Sequence, residues 1–269
     1  MGQGRFKFSW VGSEDMLLDT VLTTAHKSMV IGRYGGSTAA GAVKNEDGAY
    51  VLNEPEGSWE FVMLLDAHHT AESAELLVCA LGSEEADIIR LLSLPVNEAF
   101  AALERFLLSI FKSEEFIRQC KEVTGETACL ICARKENYVW WFSVGDNSLY
   151  LLHPDLAARG QYLLNQRNYY EWIGSVNIFD QPVACYSSGI RELRPGHNVI
   201  AMTTDGLLEY GERVLEDPRK LYLAFRNEEG LEKCVDDLLK GVHQGQGRDS
   251  ATVVAWSYYN SRDAAMPSD

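Results

Sequence analysis

Hydrophobic positions divide the chain into groups of strand-like runs with a helical region between them. Short apolar runs bounded by polar turns are typical of strands, and apolar residues three and four apart are typical of helices. The first pattern predicts strands over residues 5–11, 28–33, 49–52, 59–65, 126–133, 138–144, 149–152, 183–186, 190–193, 199–203 and 251–258. Residues 15–26 carry no clear pattern.

Helical spacing is clearest between residues 71 and 123, where Pro95 separates two helical regions. The spacing predicts helices over residues 71–81, 84–94, 96–123, 217–226 and 229–243. Residues 155–180 are polar, aromatic and irregular, so we expect a surface flap or loop there. No linker or internal repeat interrupts the chain, and we predict a single domain over residues 1–269.

The strand predicted over residues 59–65 ends on an acid and two imidazoles, Asp66, His68 and His69. A strand end is a rigid place to hold a carboxylate, and the loop after it can open to solvent. The alternative is an ordinary turn in which Asp66 caps the next helix, because Asp is a favoured helix cap.

Composition narrows the class of protein. Hydrophobic residues make up 46% of the 269 positions, which is enough for a large buried core. The net charge of -15 disfavours a nucleic-acid partner held through its phosphates. No run approaches about 18 apolar residues, so we expect no membrane span. The first seven residues lack an apolar signal core, and we predict a cytoplasmic protein.

Six cysteines are scattered along the chain, and Cys129 and Cys132 form a C-x-x-C sequence inside a predicted strand. Residues three apart in a strand face opposite sides, so these two thiols are poorly placed to share one metal ion. No second pair or nearby histidine completes a zinc site. We therefore predict ordinary core thiols. The glycine-rich residues 32–38 lack the full phosphate-loop pattern and predict a flexible turn.

Four aspartates share one local setting, at the junction of a predicted strand with a turn, and Asp146 resembles them. The four are Asp47, Asp66, Asp205 and Asp249. Strand ends can converge on one rim of a fold, but clustered carboxylates repel each other strongly. Such a cluster is tolerable mainly when cations bind in it, and oxygen ligands favour Mg²⁺ or Mn²⁺. The sequence alone leaves open whether the acids converge.

Six short motifs follow one another between about residues 30 and 258. They are Asn45-Glu46-Asp47, Asp66-Ala67-His68, Gly125-Glu126-Thr127-Ala128, Gly145-Asp146-Asn147, Thr204-Asp205-Gly206 and Arg248-Asp249-Ser250-Ala251-Thr252. In this order they resemble the motifs of the PP2C-type (PPM) metal-dependent protein serine/threonine phosphatases. Each motif is weak alone, and six in the family's order are considerably more specific.

The resemblance implies an α+β fold, a four-layer α-β-β-α sandwich with two antiparallel sheets flanked by helices. It also implies two Mn²⁺ or Mg²⁺ ions whose bridging hydroxide attacks a phosphoserine or phosphothreonine of a protein substrate. Asp66 would bridge both ions as a catalytic residue, and His68 would protonate the leaving group. Asp146 matches the residue for a third, looser ion. The implied metal-binding residues are Glu46, Asp47, Asp66, Ala67, Asp146, Asp205 and Asp249, with Glu46 and Asp47 acting through water.

Two departures from the family pattern bear on activity. Ala67 replaces the glycine of the family's Asp-Gly-His-Gly motif, which is tolerable unless the backbone there needs a positive φ. Ala42 stands where the family commonly has a phosphate-binding arginine, and Lys44 and Arg33 are the basic residues that could replace it. The alternative hypothesis is therefore a weak or inactive PP2C-like regulatory protein. A DHH-type phosphoesterase is a third hypothesis, suggested by Asp66-Ala67-His68-His69, although the alanine interrupts the motif of that class.

Overall fold

A computed structural model describes residues 5–54, 58–226 and 229–263. Within these residues the strands are, in chain order, β1 (Phe6–Val11), β2 (Val21–His26), β3 (Met29–Tyr34), β4 (Asp47–Asn53), β5 (Trp59–His68), β6 (Glu126–Lys135), β7 (Tyr138–Val144), β8 (Ser148–Leu152), β9 (Ile173–Gly174), β10 (Ser187–Glu192), β11 (Gly196–Thr203) and β12 (Ala251–Asn260). The helices are α1 (Glu72–Ser83), α2 (Glu85–Leu92), α3 (Val96–Phe111), α4 (Glu114–Cys120), α5 (Pro154–Ala157), α6 (Gly206–Glu209), α7 (Pro218–Ala224) and α8 (Leu231–Gln244).

The strands form two sheets in which all the observed pairs are antiparallel. The first sheet has the order β1-β4-β5-β6-β7-β10, and the short β9 pairs with β6. The second sheet has the order β2-β3-β12-β11-β8. The chain crosses between the sheets several times, so neither sheet is built from one continuous stretch of the chain.

The central strand β5 shows why the sheets are covered on both faces. Successive side chains of a strand point to opposite faces. Met63 and Leu65 pack against helices α1 to α4, whereas Val62 and Leu64 pack against the second sheet. The second sheet repeats the arrangement, because its other face packs against α6, α7 and α8.

Three hydrophobic cores therefore separate four layers, and the predicted α+β, four-layer α-β-β-α sandwich is confirmed. The assignment of residues 1–269 to a single domain stays a prediction. Both chain ends, residues 1–4 and 264–269, lie outside the described residues, and so do residues 55–57 and 227–228. No helix in the described part of the chain is both long and apolar enough to cross a membrane.

Three predicted elements differ from the structure. The single helix predicted over residues 96–123 is two helices, because the Ser113 side chain accepts a hydrogen bond from the Phe116 N–H and starts α4 anew. The strand predicted over 183–186 is absent from this described segment, where Val183 is exposed rather than packed. Residues 21–26, which lacked a pattern, form the half-buried edge strand β2.

The cysteine prediction is confirmed for the C-x-x-C pair. Both thiols are buried, with Cys129 on the helix-facing side of β6 and Cys132 between the sheets. All six cysteines are free. The turn predicted in residues 32–38 is buried rather than loose: Gly35 and Gly36 allow backbone approaches that a side chain would block.

Candidate metal centre

Antiparallel pairing brings the strand-end aspartates to one edge of the sandwich. In the first sheet, β4 begins at Asp47 and the register sets it directly opposite Asp66 of β5. In the second sheet, β11 pairs with β12 so that Asp205, which follows β11, lies beside Asp249, which precedes β12. Asp146 occupies the turn through which β7 of the first sheet leads to β8 of the second.

The electrostatics of Asp66 show that the five acids lie close together. Burial raises the pKa of Asp66 well above its usual value, and repulsion from neighbouring carboxylates raises it further. The repelling groups are Asp205, Asp47, Asp249 and Asp146. Burial and the neighbouring acids likewise raise the pKa of Asp205 to about 7. Burial, with a smaller contribution from Glu209, raises the pKa of Asp249 above its usual range. The convergence that the sequence left open is therefore present.

Asp47 is fully buried and is held by three hydroxyl groups. Its carboxylate accepts hydrogen bonds from Thr252 (2.6 Å), Ser250 (2.9 Å) and Thr204 (3.1 Å). These bonds favour the charged form, but burial is the larger effect and raises the pKa of Asp47 to about 7. The three hydroxyls lie just after β11 and at the start of β12, so Asp47 also ties the two sheets together.

Two carboxylate oxygens at the centre have no hydrogen-bond partner although they are buried. They are Oδ2 of Asp66 and Oδ1 of Asp146. Buried polar atoms are normally paired, so each marks a place for a donor or a cation. Asp66 does not cap the next helix, because the residue before α1 is Ala71. Asp205 precedes α6, but its side chain makes no capping bond either.

Arg167 supplies a positive charge to this centre from the irregular segment that the sequence predicted to be a flap. Its Nε donates to the Asp146 carbonyl (3.0 Å) and its Nη2 to the carboxylate of Glu209 (2.7 Å). The same guanidinium lies 3.6 Å from the Asp146 carboxylate and 3.9 Å from that of Asp205. Residues 155–180 are therefore not simply a surface loop, because one of their side chains reaches the acids.

In the described residues, no group of three or more His, Cys, Asp or Glu side chains is arranged as it stands to hold a metal ion. Arg167 lies beside Asp146 and Asp205, and three hydroxyl groups donate hydrogen bonds to Asp47. The donor set nevertheless fits a divalent cation. It consists of oxygen atoms, it contains two unpaired buried carboxylate oxygens, and burial together with neighbouring carboxylates raises the pKa values of Asp66 and Asp205.

A cleft of about 400 Å³ opens beside Asp66. It is lined by Gly41, Ala42, Val43, Lys44, Glu46, Asp66, Ala67, His68, His69, Arg248 and Asp249. Glu46 is bound by Lys44, whose ammonium donates to a carboxylate oxygen at 2.6 Å. Three of the predicted metal-binding residues, Asp47, Asp146 and Asp205, do not line this cleft. Acidic and basic groups thus meet at its mouth.

His68 is the last residue of β5 and its side chain is exposed at the cleft. Its ring packs edge-on against the indole of Trp172, with 4.8 Å between the ring centroids. This contact comes from the same segment as Arg167 and holds the imidazole next to the acids. His68 is close enough for its charge to lower the pKa of Asp249.

The two departures from the family pattern have different consequences here. The backbone at Ala67 does not need a positive φ; that conformation falls on His69, at 79°. Alanine is therefore tolerated at position 67. Arg33 does not enter the cleft at Ala42, because it is buried with its guanidinium against the rings of Phe8 and Trp10, 5.1 and 4.9 Å away.

No family model and no curated protein matches the chain. Solved structures do match it. A bacterial serine phosphatase superposes with a TM-score of 0.65 and 16% identity, over 90% of this chain and all of that one. The chain has the PP2C-type fold. Stp1, a serine/threonine phosphatase from Staphylococcus aureus, gives a TM-score of 0.60 with 14% identity, over 89% of this chain and 94% of that one.

A third PP2C-type structure carries metal. The catalytic domain of the serine/threonine protein phosphatase PstP, in complex with two manganese ions, has a TM-score of 0.57 and 14% identity. The alignment covers 94% of this chain and 97% of that one. At such identities the comparison shows a shared PP2C-type fold, and the site of this chain is assessed from its own residues.

Sequence reasoning missed several residues at the centre. Arg167 and Trp172 lie in an irregular segment, where no period fixes which side chains point inward. The three hydroxyls around Asp47 lie inside or beside recognised motifs, but only the register of β12 on β11 aims them at one carboxylate. Arg248 lies next to a candidate metal ligand, and its place in the cleft could have been suspected from that adjacency.

Proposed function

We propose that the protein is a metal-dependent phosphatase that hydrolyses phosphoserine or phosphothreonine in protein substrates. The observation that carries the proposal is the convergence of five aspartates, two with unpaired buried oxygens, beside an open cleft. Clustered buried carboxylates are costly unless a cation neutralises them. The PP2C-type fold and its phosphatase neighbours support the same assignment.

Two Mn²⁺ or Mg²⁺ ions would activate water as a nucleophile at neutral pH and neutralise charge on the phosphoryl group. The residues that would hold these ions are Asp66, at the centre of the cluster, the Ala67 carbonyl, Asp205 and Asp249. Asp146 would bind a third, looser ion once Arg167 moved aside.

Glu46 and Asp47 would act through water rather than by direct ligation. Asp47 already accepts three hydroxyl groups, which fix the orientation of its carboxylate. Glu46 lines the cleft and would hold a water molecule in place through its carboxylate. Both residues would thereby help to hold the ions through water molecules without giving up their own partners.

His68 would donate a proton to the oxygen of the departing serine or threonine. Imidazole is the side chain best suited to proton transfer near neutral pH. The edge-on contact with Trp172 holds the ring at the cleft, near the carboxylate of Asp249. An open cleft of about 400 Å³ suits a phosphorylated side chain presented by a protein surface.

A weak or inactive regulatory protein is the second candidate function. Two observations favour it: the family's phosphate-binding arginine is replaced by Ala42, and Arg167 occupies space among the acids. In that case the rim of the cleft would bind a partner without turnover. Binding measurements and turnover measurements on the same protein separate the two candidates.

The test is hydrolysis of a phosphothreonine peptide with Mn²⁺, with Mg²⁺ and with EDTA, alongside an Asp205→Asn variant. We expect turnover that requires metal and is lost in the variant. Turnover that persists in EDTA would refute metal dependence. Measurable Mn²⁺ binding without turnover would favour the regulatory candidate.

A further inference from the structure

The cleft beside Asp66 has a basic side that the metal site does not explain. Lys44 and Arg248 line it together with His68 and Asp66. The chain as a whole carries a net charge of -15. Two basic side chains beside an acidic centre are therefore unusual for this protein. Groups placed in this way suit a ligand that is itself negatively charged.

The backbone of Arg248 lies close to Ala42. A side chain built on Gly36 would lie 2.2 Å from the Arg248 carbonyl oxygen and 2.8 Å from the Ala42 Cβ, so both residues pack against the same glycine. The Ser37 N–H also donates to the Gly247 carbonyl at 2.8 Å and fixes the two loops together. Positions 248 and 42 therefore both pack against Gly36, and both residues line the cleft.

The guanidinium of Arg248 is available for a ligand. Within the described residues it makes no hydrogen bond or ion pair, and Arg248 is exposed. The two arginines Arg134 and Arg167, in contrast, are engaged with carboxylates. A free guanidinium presents several donors in a planar fork that matches two oxygens of a phosphate.

Lys44 is placed to assist, and it also holds the wall of the cleft. Its ammonium donates to the Glu46 carboxylate at 2.6 Å and to the His69 carbonyl at 2.7 Å. An ammonium has three donors, so one remains for a ligand. The bond to His69 fixes the loop that follows His68, which ties the position of the positive charge to that of the proposed proton donor.

We infer that Arg248, assisted by Lys44, binds the phosphate group of the substrate in place of the arginine missing at position 42. The inference rests on the proposed function for the identity of its ligand, a phosphate monoester dianion. In that case the phosphate-binding arginine lies at position 248 instead of position 42, and the phosphate-binding function is kept.

The test measures binding of inorganic phosphate to the Mg²⁺-loaded protein by calorimetry, with turnover recorded separately. Arg248→Ala should weaken phosphate binding by about 10- to 100-fold, because a hydrogen-bonded charge pair is lost. Arg248→Lys should recover part of the affinity, since charge is kept but the fork is not. Arg105→Ala, an exposed arginine on α3, is the matched control and should leave affinity unchanged.

Arg248 is next to Asp249 and lowers the pKa of that acid, so Mg²⁺ affinity is measured for each variant and phosphate binding is compared at saturating metal. Adding Ala42→Arg to Arg248→Ala should restore phosphate binding, because both positions pack against Gly36. In turnover, Arg248→Ala should mainly raise KM, as expected for loss of an interaction made equally before and during reaction.

Unchanged phosphate affinity in Arg248→Ala, or no phosphate binding by the unaltered protein, would overturn the inference. A different outcome would refute the proposed function. Phosphate binding that depends on Arg248 but without any turnover would leave the anchor in place and refute the phosphatase. Turnover whose KM does not change in Arg248→Ala would refute the role of Arg248 and leave the proposed phosphatase function in place.

Discussion

Replacing Asp66 with asparagine should stabilise the metal-free protein while removing its capacity to bind metal. Asp66 is buried, lies opposite Asp47 in the β4–β5 register and has one oxygen without a partner. Two unit charges about 5 Å apart repel by about 3 kcal/mol at an effective dielectric constant of about 20. Asparagine keeps the shape of the side chain and removes one of the two charges.

Asp66 lowers the stability of the folded, metal-free protein whether its carboxyl group is charged or protonated. At pH 8 the group either stays charged and is repelled by its neighbours, or holds a proton that the unfolded chain has released. Both cost free energy of folding, and asparagine avoids both. We expect Asp66→Asn to raise the free energy of unfolding by about 1 to 3 kcal/mol, which corresponds to several degrees in Tm.

The assay is thermal unfolding at pH 8 in EDTA, repeated with Mn²⁺. The unaltered protein should gain Tm when Mn²⁺ is added, because a ligand that binds only the folded state stabilises it, whereas Asp66→Asn should gain little. Asp87→Asn, at an exposed acid of α2, is the control and should change stability by no more than about 0.5 kcal/mol. A lower Tm for Asp66→Asn than for the unaltered protein in EDTA would refute the electrostatic reasoning.

Three further predictions follow from charges at and away from the centre. Between about pH 4 and pH 7 the metal-free protein should lose stability as pH rises, since folded Asp205 (pKa about 7) keeps a proton that the unfolded chain releases; constant Tm in EDTA would contradict this. Arg167→Ala should tighten Mn²⁺ binding by about tenfold, because it removes a cation 3.6 Å from Asp146; calorimetry showing weaker binding would oppose it. Arg134→Met should cost about 3 to 5 kcal/mol in urea unfolding by leaving Glu60 buried without its partner, and adding Glu60→Met should recover part of that loss.

The layered fold was predicted from the resemblance of the six motifs to those of the PP2C-type phosphatases. The apolar run of β5 agrees with that fold, because the strand is covered by helices on one face and by the second sheet on the other. The helix predicted over residues 96–123 was too long because its apolar spacing continues through Ser113, where a hydroxyl cap restarts the chain as α4. Edge strand β2 was missed because one side of it is open and its burial is irregular.

The candidate site was predictable only in part. Each aspartate could be placed at a strand end, but the sequence could not decide whether the ends met, since that depends on how the two sheets are joined. The register of Asp47 against Asp66 decides it in the first sheet. Arg167, from an irregular segment, was not predictable, because nothing periodic indicates where its side chain points.

Metal binding and hydrolysis recorded in one titration would test the central claim most directly. Metal-free protein is titrated with Mn²⁺ while bound Mn²⁺ and the hydrolysis of para-nitrophenyl phosphate are followed together. We expect turnover to appear as two ions bind, and Asp66→Asn to lose both signals while remaining folded. Hydrolysis without bound metal, or full turnover in Asp66→Asn, would contradict the assignment of the clustered aspartates as a metal centre.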